Sequence, residues 1–244
     1  MSDPIRQQRT GPAEIAAALD AGEPVRLLLV ARAPKDARVT QLVERARAAG
    51  IAVHGASDAS LWRLSKTDPP AEVLALVGPD PAASAEQVMA AGGAVWLLVG
   101  IAYPGNTGFA IRAAEVSGAT GVFVDGSFGH EGRREAIRAS MRADRYLPVL
   151  WQPAAEVIEC ARQAGRHIFA IEDVGSQAPW EADLSVPALF IVGGERHGIA
   201  PDLLAQADTV LRIPMHGFIP SYNLQAAMAA VATERLRQSG DGVD

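Results

Sequence analysis

Short apolar runs of strand length alternate with helix-patterned stretches along almost the whole chain, and this alternation restricts the fold more than any single residue does. Residues 25–31 form a continuous apolar run, the mark of a strand buried on both faces. A helical pattern follows over 39–49, with Val39, Leu42, Val43 and Ala46 on one face and Gly50 as its stop. Residues 51–54 read as a short strand, Asp58 as the N-cap of a short helix, and 73–77 as another strand. The stretch Gly78-Pro-Asp-Pro-Ala-Ala-Ser84 then reads as a linker. A helix is expected near 84–91, and strands over 94–101, 121–124, 147–151, 167–171, 188–192 and 210–213. Helices over 107–117 and 154–164 end at Gly118 and Gly165, the position where glycine is favoured. The last helix runs from about Asn223 to Gln238. Such alternation predicts an α/β fold with a mostly parallel sheet covered by helices on both faces. It also predicts a division into residues 1–80 and 81–244.

Composition narrows the function classes. The hydrophobic fraction of 49% supports a packed core. Cys160 is the only cysteine, which excludes an internal disulfide and any multi-cysteine metal site; a reducing cytoplasm is the expected compartment. The polar N-terminus lacks the apolar region of a signal peptide, and no apolar run approaches the roughly 20 residues of a membrane span. A net charge of -6 argues against a general nucleic-acid binder but leaves room for a local basic face. The cations are nearly all arginine, which suits bidentate phosphate contact.

Three segments carry polar groups that a core does not need. They are Asn106-Thr-Gly-Phe-Ala-Ile-Arg112, Gly193-Gly-Glu-Arg-His-Gly198 and Ile213-Pro-Met-His-Gly-Phe-Ile-Pro-Ser-Tyr-Asn223. Each follows an expected strand, and parallel sheets bind ligands beyond the carboxyl ends of their strands. No Gly-x-Gly-x-x-Gly and no phosphate-binding Gly-x-x-x-x-Gly-Lys motif is present. Ser221-Tyr-Asn223 is like the Ser-x-Asn element of penicillin-recognising enzymes, but the Ser-x-x-Lys those enzymes require is missing. The histidines His54, His130, His167, His197 and His216 lack metal-ligand spacing, so no metal is expected.

Taken in order, the three segments resemble the motifs of the SPOUT methyltransferases of the TrmH-like branch. These are RNA ribose 2′-O-methyltransferases that use S-adenosylmethionine. The resemblance covers roughly residues 94–238, and residues 25–77 resemble the small ribosomal-protein-like RNA-binding domain that often precedes such a catalytic domain. It implies a deep trefoil knot built from residues 191–198, 213–220 and 221–224, a homodimer with the last helix at its interface, and RNA, ribosomal or transfer, as substrate. It also implies a cofactor site of Val192, Gly193, Gly194, Gly198, Ile213, Pro214, Met215, Ser221, Asn223 and Leu224.

The catalytic positions implied are Arg112, Asn106, Glu195, Ser221 and Asn223. A ribose hydroxyl is a poor nucleophile at neutral pH, so it must be aligned, relieved of a proton and stabilised as charge develops. Arg112 matches an arginine proposed in the family as a general base. A guanidinium stays protonated in proteins, so pinning the target phosphate and stabilising the developing alkoxide suit it better; a helix-surface salt bridge with Glu115 is the structural alternative. Asn106 is also a good N-cap, Glu195 is placed to orient Arg112 or Asn106, and Ser221 and Asn223 are fair caps for the last helix as well as site residues. Arg134, Arg138 and Arg142 recur at i, i+4 and form a candidate RNA-contacting stripe. Related sequences are expected to carry glycine where this chain has Arg142. Two other readings stand: an RNA-binding protein on this scaffold without catalysis, and a doubly wound enzyme acting on a small molecule.

Overall fold

The computed structural model describes residues 6–194, 196–219 and 221–240. The chain divides into two compact units, Ile5–Asp80 and Pro81–Asp244.

The first unit runs β1 (Gln7–Thr10), α1 (Gly11–Asp20), β2 (Val25–Ala31), α2 (Ala37–Ala48), β3 (Ala52–Ala56), α3 (Asp58–Ser65) and β4 (Val73–Val77). Its strand order is β1-β4-β2-β3. β2 and β3 are parallel, whereas β4 is antiparallel to both β1 and β2, so this sheet is mixed. Sequence periodicity missed β1 and α1: β1 is only four residues of polar Gln7-Gln-Arg-Thr10, held as an edge by its pairing with β4 and by the Arg9–Glu23 ion pair. Leu28 and Val30 pack with Ile15, Val39 and Leu42 under α1 and α2. Leu27 and Leu29, buried on the opposite face by strand alternation, lie toward α3. α3 is capped by Ser57, whose hydroxyl accepts the Ser60 amide at 3.3 Å, and Asp58 is the first helical residue rather than the cap.

The second unit runs α4 (Ala85–Ala90), β5 (Ala94–Val99), α5 (Pro104–Val116), β6 (Gly121–Asp125), α6 (His130–Ala139), β7 (Val149–Trp151), α7 (Ala154–Gln163), β8 (His167–Ile171), β9 (Ala188–Gly193), α8 (Pro201–Leu204), β10 (Thr209–Leu211) and α9 (Leu224–Gln238). All six strands are parallel, in the order β10-β8-β9-β5-β6-β7. The strands are apolar throughout because both faces are covered. On β5, Trp96 and Leu98 enter one core layer with Ile111 of α5 and Met228 of α9, while Val95, Leu97 and Val99 enter the other with Val157 and Ile158 of α7. Gly118 and Gly165 follow α5 and α7 with φ of 76° and 68°, the left-handed ends their sequence position predicts. The α/β class and the mostly parallel sheet are as expected. No helix of the described residues is long and apolar enough to cross a membrane.

At the amino ends of the strands, Arg166 is 4% exposed. Its guanidinium donates to the carbonyls of Met89 (2.9 Å), Gly93 (2.8 Å), Ala188 (3.1 Å) and Val88 (3.2 Å), and to that of Ala91. These carbonyls belong to the end of α4 and the starts of β5 and β9, so one cation satisfies a helix C-terminus and two strand entries. Arg166→Met is expected to leave several buried carbonyls unpaired and lower stability by about 3–5 kcal/mol, measured by denaturant unfolding.

Candidate active site

A cavity of about 460 Å³ opens beyond the carboxyl ends of β8, β9 and β10 and is closed by the start of α9. That volume suits a small-molecule cofactor. From β8 come Ile171, Glu172 and Asp173; from β9 and its loop, Val192, Gly193, Gly194, Arg196 and Gly198; from the segment after β10, Ile213 and Met215; from α9 and its approach, Ser221, Tyr222, Asn223, Leu224 and Ala227. The second and third sequence segments therefore meet at one place. Pro214 does not line the cavity: it is exposed between two residues that do, as i, i+2 alternation out of a strand dictates. Glu195 lies outside the described residues.

Glycines make the loops possible. A Cβ at Gly194 would stand 2.1 Å from the Gly100 carbonyl oxygen, and one at Gly193 2.2 Å from the Gly198 carbonyl carbon. Gly194 donates its amide to Val99 at 2.8 Å and bridges to Gly198, so the loop folds back over the end of β5 with backbone against backbone. The result is a cradle a side chain would fill, presenting main-chain groups to whatever enters.

The first segment lies beside the cavity rather than in it. Neither Asn106 nor Arg112 lines it, but α5, which carries both, packs against α9. Arg196 of the cavity loop donates to the Tyr103 hydroxyl at 3.1 Å, with its guanidinium 5.6 Å from the ring, tying that loop to the head of α5. Asn106 is not the N-cap. Pro104 opens the helix two residues earlier, with Tyr103 in the cap position and Asn106 in the first turn. Arg112 is exposed between Phe109 and Val116 on the outer face of α5, and no ion pair with Glu115 or any other described residue holds it. Gly108 of the same motif is structural. A Cβ there would lie 2.4 Å from the Ala136 carbonyl oxygen and 2.5 Å from the Ala139 Cβ, so it sets the close approach of α5 and α6.

Asn223 is the N-cap residue of α9, yet its side chain makes no capping bond; Ser221 is likewise exposed at the cavity rim. Both are therefore presented to a ligand more than to the helix. Arg134 and Arg138 are exposed on α6, but Arg142 is off their stripe, because α6 ends at Ala139. Arg142 adopts φ 63° and pairs bidentately with Asp144 at 3.0 and 3.1 Å. A side chain in the left-handed region costs about 1 kcal/mol, more than an exposed ion pair returns. Arg142→Gly is accordingly expected to raise stability by roughly 0.5 kcal/mol in denaturant melts.

The comparisons with known proteins agree with this geometry. Residues 94–233 match the model of the SpoU rRNA Methylase family, more than half of the chain. The chain belongs to the SpoU rRNA methylase family. Residues 10–82 match a second model, described as RNA 2′-O ribose methyltransferase substrate binding. A 23S rRNA (uridine(2479)-2′-O)-methyltransferase of Streptomyces viridochromogenes is 30% identical over 57% of this chain and 50% of its own length. A 23S rRNA (guanosine-2′-O-)-methyltransferase of Xylella fastidiosa is 27% identical over 88% of this chain and 90% of its own. Among solved structures, the SpoU methyltransferase AviRb from Streptomyces viridochromogenes in complex with AdoMet superposes with a TM-score of 0.58 at 25% identity. It covers 97% of this chain and 92% of that one. An RNA 2′-O ribose methyltransferase superposes with a TM-score of 0.55 at 30% identity, covering 96% and 88%. The cavity at the β8–β10 ends combines a glycine cradle with an apolar wall of Ile171, Val192, Ile213 and Leu224.

Six lining residues, Ile171, Glu172, Asp173, Arg196, Tyr222 and Ala227, were not singled out from the sequence. The rule that ligands gather at carboxyl ends of parallel strands was enough to include the two after β8. Burial pushes the Glu172 carboxyl above the usual carboxylate range, against the lowering effect of the Ile199 amide it accepts, and Asp173 adds to the rise. Among the described residues no three His, Cys, Asp or Glu side chains cluster as metal ligands.

Proposed function

We propose that this chain transfers a methyl group from S-adenosylmethionine to a ribose 2′-hydroxyl of ribosomal or transfer RNA. The observation that carries the reading is the glycine-cradled cavity of a SpoU family chain, tied through Arg196 and Tyr103 to the helix that bears Arg112. The bound cofactor supplies an electrophilic sulfonium methyl. The residues of the chain do the rest. The backbone of Gly193, Gly194 and Gly198, with Val192, Ile213, Met215 and Leu224, holds the cofactor. Ser221 and Asn223 at the rim hydrogen-bond the target ribose, and Asn106 and Glu195 order the site around it. Arg112, exposed on α5, grips the phosphate next to the target nucleotide and stabilises the alkoxide as it forms.

The finer architecture belongs to the same proposal. Residues 191–198, 213–220 and 221–224 form a deep trefoil knot, a reading supported by their convergence on one cavity. Residues 1–80 are the substrate-binding domain and 81–244 the methyltransferase domain, in keeping with the two matched models and the two compact units. RNA runs across Arg134 and Arg138, with Arg142 beyond the helix end. Two copies pair through α9 and the exposed Phe109 and Val116 that flank Arg112. The enzyme works in the cytoplasm, where its RNA is.

The test is transfer of a labelled methyl group from S-adenosylmethionine to unmodified ribosomal RNA and, separately, to transfer RNA, with the product mapped for ribose methylation. Label on one RNA class supports the reading and names the substrate. Cofactor binding without transfer to either class favours a non-catalytic RNA binder.

A further inference from the structure

The β8 wall of the cavity carries a carboxylate to which the proposed transfer assigns no role. Glu172 follows directly on β8, and its main-chain amide is anchored to the Leu211 carbonyl at 3.0 Å. The side chain is half-buried and accepts the Ile199 amide, which occupies one of roughly four lone-pair sites on a carboxylate. It lies so close over the loop that a Cβ on Gly198 would come within 2.4 Å of its Oε1. A partly desolvated carboxylate at a cavity wall with acceptor capacity to spare is suited to ligand hydroxyls or amines.

Strand order decides which end of a ligand it meets. β8 is separated from β5 by β9, so Glu172 stands about 10 Å across the sheet from the strand that leads into α5. With Arg112 in its proposed role the reacting methyl faces α5, and the methyl sits at the middle of the cofactor, between the nucleoside and the amino-acid arm. Arg196 lies on the β9 side, held at the head of α5 by Tyr103, and a guanidinium there complements the carboxylate of the amino-acid arm. The apolar Ile171, Ile213 and Met215 lie on the β8 and β10 side with Glu172, where a purine would bury its faces.

We propose that Glu172 recognises the nucleoside end of the cofactor by accepting hydrogen bonds from its ribose hydroxyls, and that it thereby sets which way round the cofactor lies. This rests on the reading of the cavity as the S-adenosylmethionine site. Burial has stripped part of the carboxylate's hydration, and the arriving hydroxyls replace the hydrogen bonds it lacks, so removing the carboxylate weakens binding.

The experiment measures binding of two probes to the full chain. One is S-adenosylhomocysteine; the other is 5′-methylthioadenosine, which keeps the nucleoside and lacks the amino-acid arm. Calorimetry serves the first and displacement of labelled S-adenosylmethionine the second. Glu172→Ala is expected to weaken both by the same factor, about tenfold or more, with the melting temperature followed separately because the Ile199 amide loses its acceptor. Glu172→Gln, which keeps an acceptor for Ile199, should lie between. Arg196→Ala should weaken S-adenosylhomocysteine alone. A Glu172→Ala loss confined to S-adenosylhomocysteine would place the contact on the amino-acid arm and overturn the proposal, as would no loss for either probe, or failure of 5′-methylthioadenosine to compete against the wild type. Wild-type protein that binds neither probe would instead remove the cofactor reading itself.

Discussion

Replacement of Arg112 by alanine is expected to lower the rate of methyl transfer to RNA by about 10²–10³-fold while leaving cofactor affinity within twofold of wild type. The two halves of this expectation have separate grounds. Arg112 does not line the cavity, so the cofactor loses no contact. Its guanidinium is exposed on the outer face of α5, between Phe109 and Val116, and no ion pair to it is found among the described residues, so the fold loses little. What disappears is a charge that acts on RNA as the alkoxide develops, and a single donor of that kind is worth about 3–4 kcal/mol in a transition state. Arg112→Lys keeps the charge without the fork and should recover only part of the rate. The checks are single-turnover transfer of labelled methyl and cofactor titration on the same preparations. Full activity in the alanine variant would remove Arg112 from the mechanism.

Gly194→Ala is expected to produce the largest loss in the cofactor site. The added methyl would meet the Gly100 carbonyl oxygen at 2.1 Å and its carbon at 2.6 Å, and both belong to main chain at the end of β5. No flexible side chain is there to move aside. The loop must lift away, breaking the Gly194 amide bond to Val99 and the bridge to Gly198. Overpacking of this kind costs about 3 kcal/mol, a fall of roughly 6–12 °C in melting temperature for a chain of this size. Cofactor affinity should fall at least tenfold, because Gly193, Gly194 and Arg196 all move with the loop. Thermal melting and cofactor titration read the two effects independently. A variant that melts and binds as wild type does would show that the loop has slack the close contacts deny.

The glycine of the first motif acts differently from those of the second. Gly108 stands in a run otherwise associated with substrate handling, yet its space is filled by α6. From the sequence, Asn106-Thr-Gly108 reads as one functional unit. In the structure, Thr107 donates its hydroxyl to the Tyr103 carbonyl at 3.0 Å and Gly108 sets a helix contact, while Arg112 is the exposed cation of that run.

What the amino-acid sequence determined by itself was whatever repeats or punctuates locally. Alternating apolar runs identified the parallel sheet, because strands buried on two faces must be apolar throughout. Gly118 and Gly165 marked helix ends, because the left-handed turn there excludes most side chains. The order of three loop motifs pointed to the family, and most of the lining of the cavity came with them. Only the tertiary structure decided the rest. Arg166 looks like any surface arginine in the chain, yet it reaches the Met89 carbonyl 77 residues away and is buried among carbonyls. Arg142 continued a helical stripe on paper, but α6 ends three residues before it. Asn106 looked like a cap until Pro104 opened the helix first. Glu172 carried no motif at all; it became a site residue because β8 is placed between β9 and β10 and because Gly198, 26 positions on by residue number, leaves room for its carboxylate. Periodicity reports only which side of an element faces the core. Contacts between distant segments depend on how strands are ordered and how closely backbones approach, and those are settled when the chain packs.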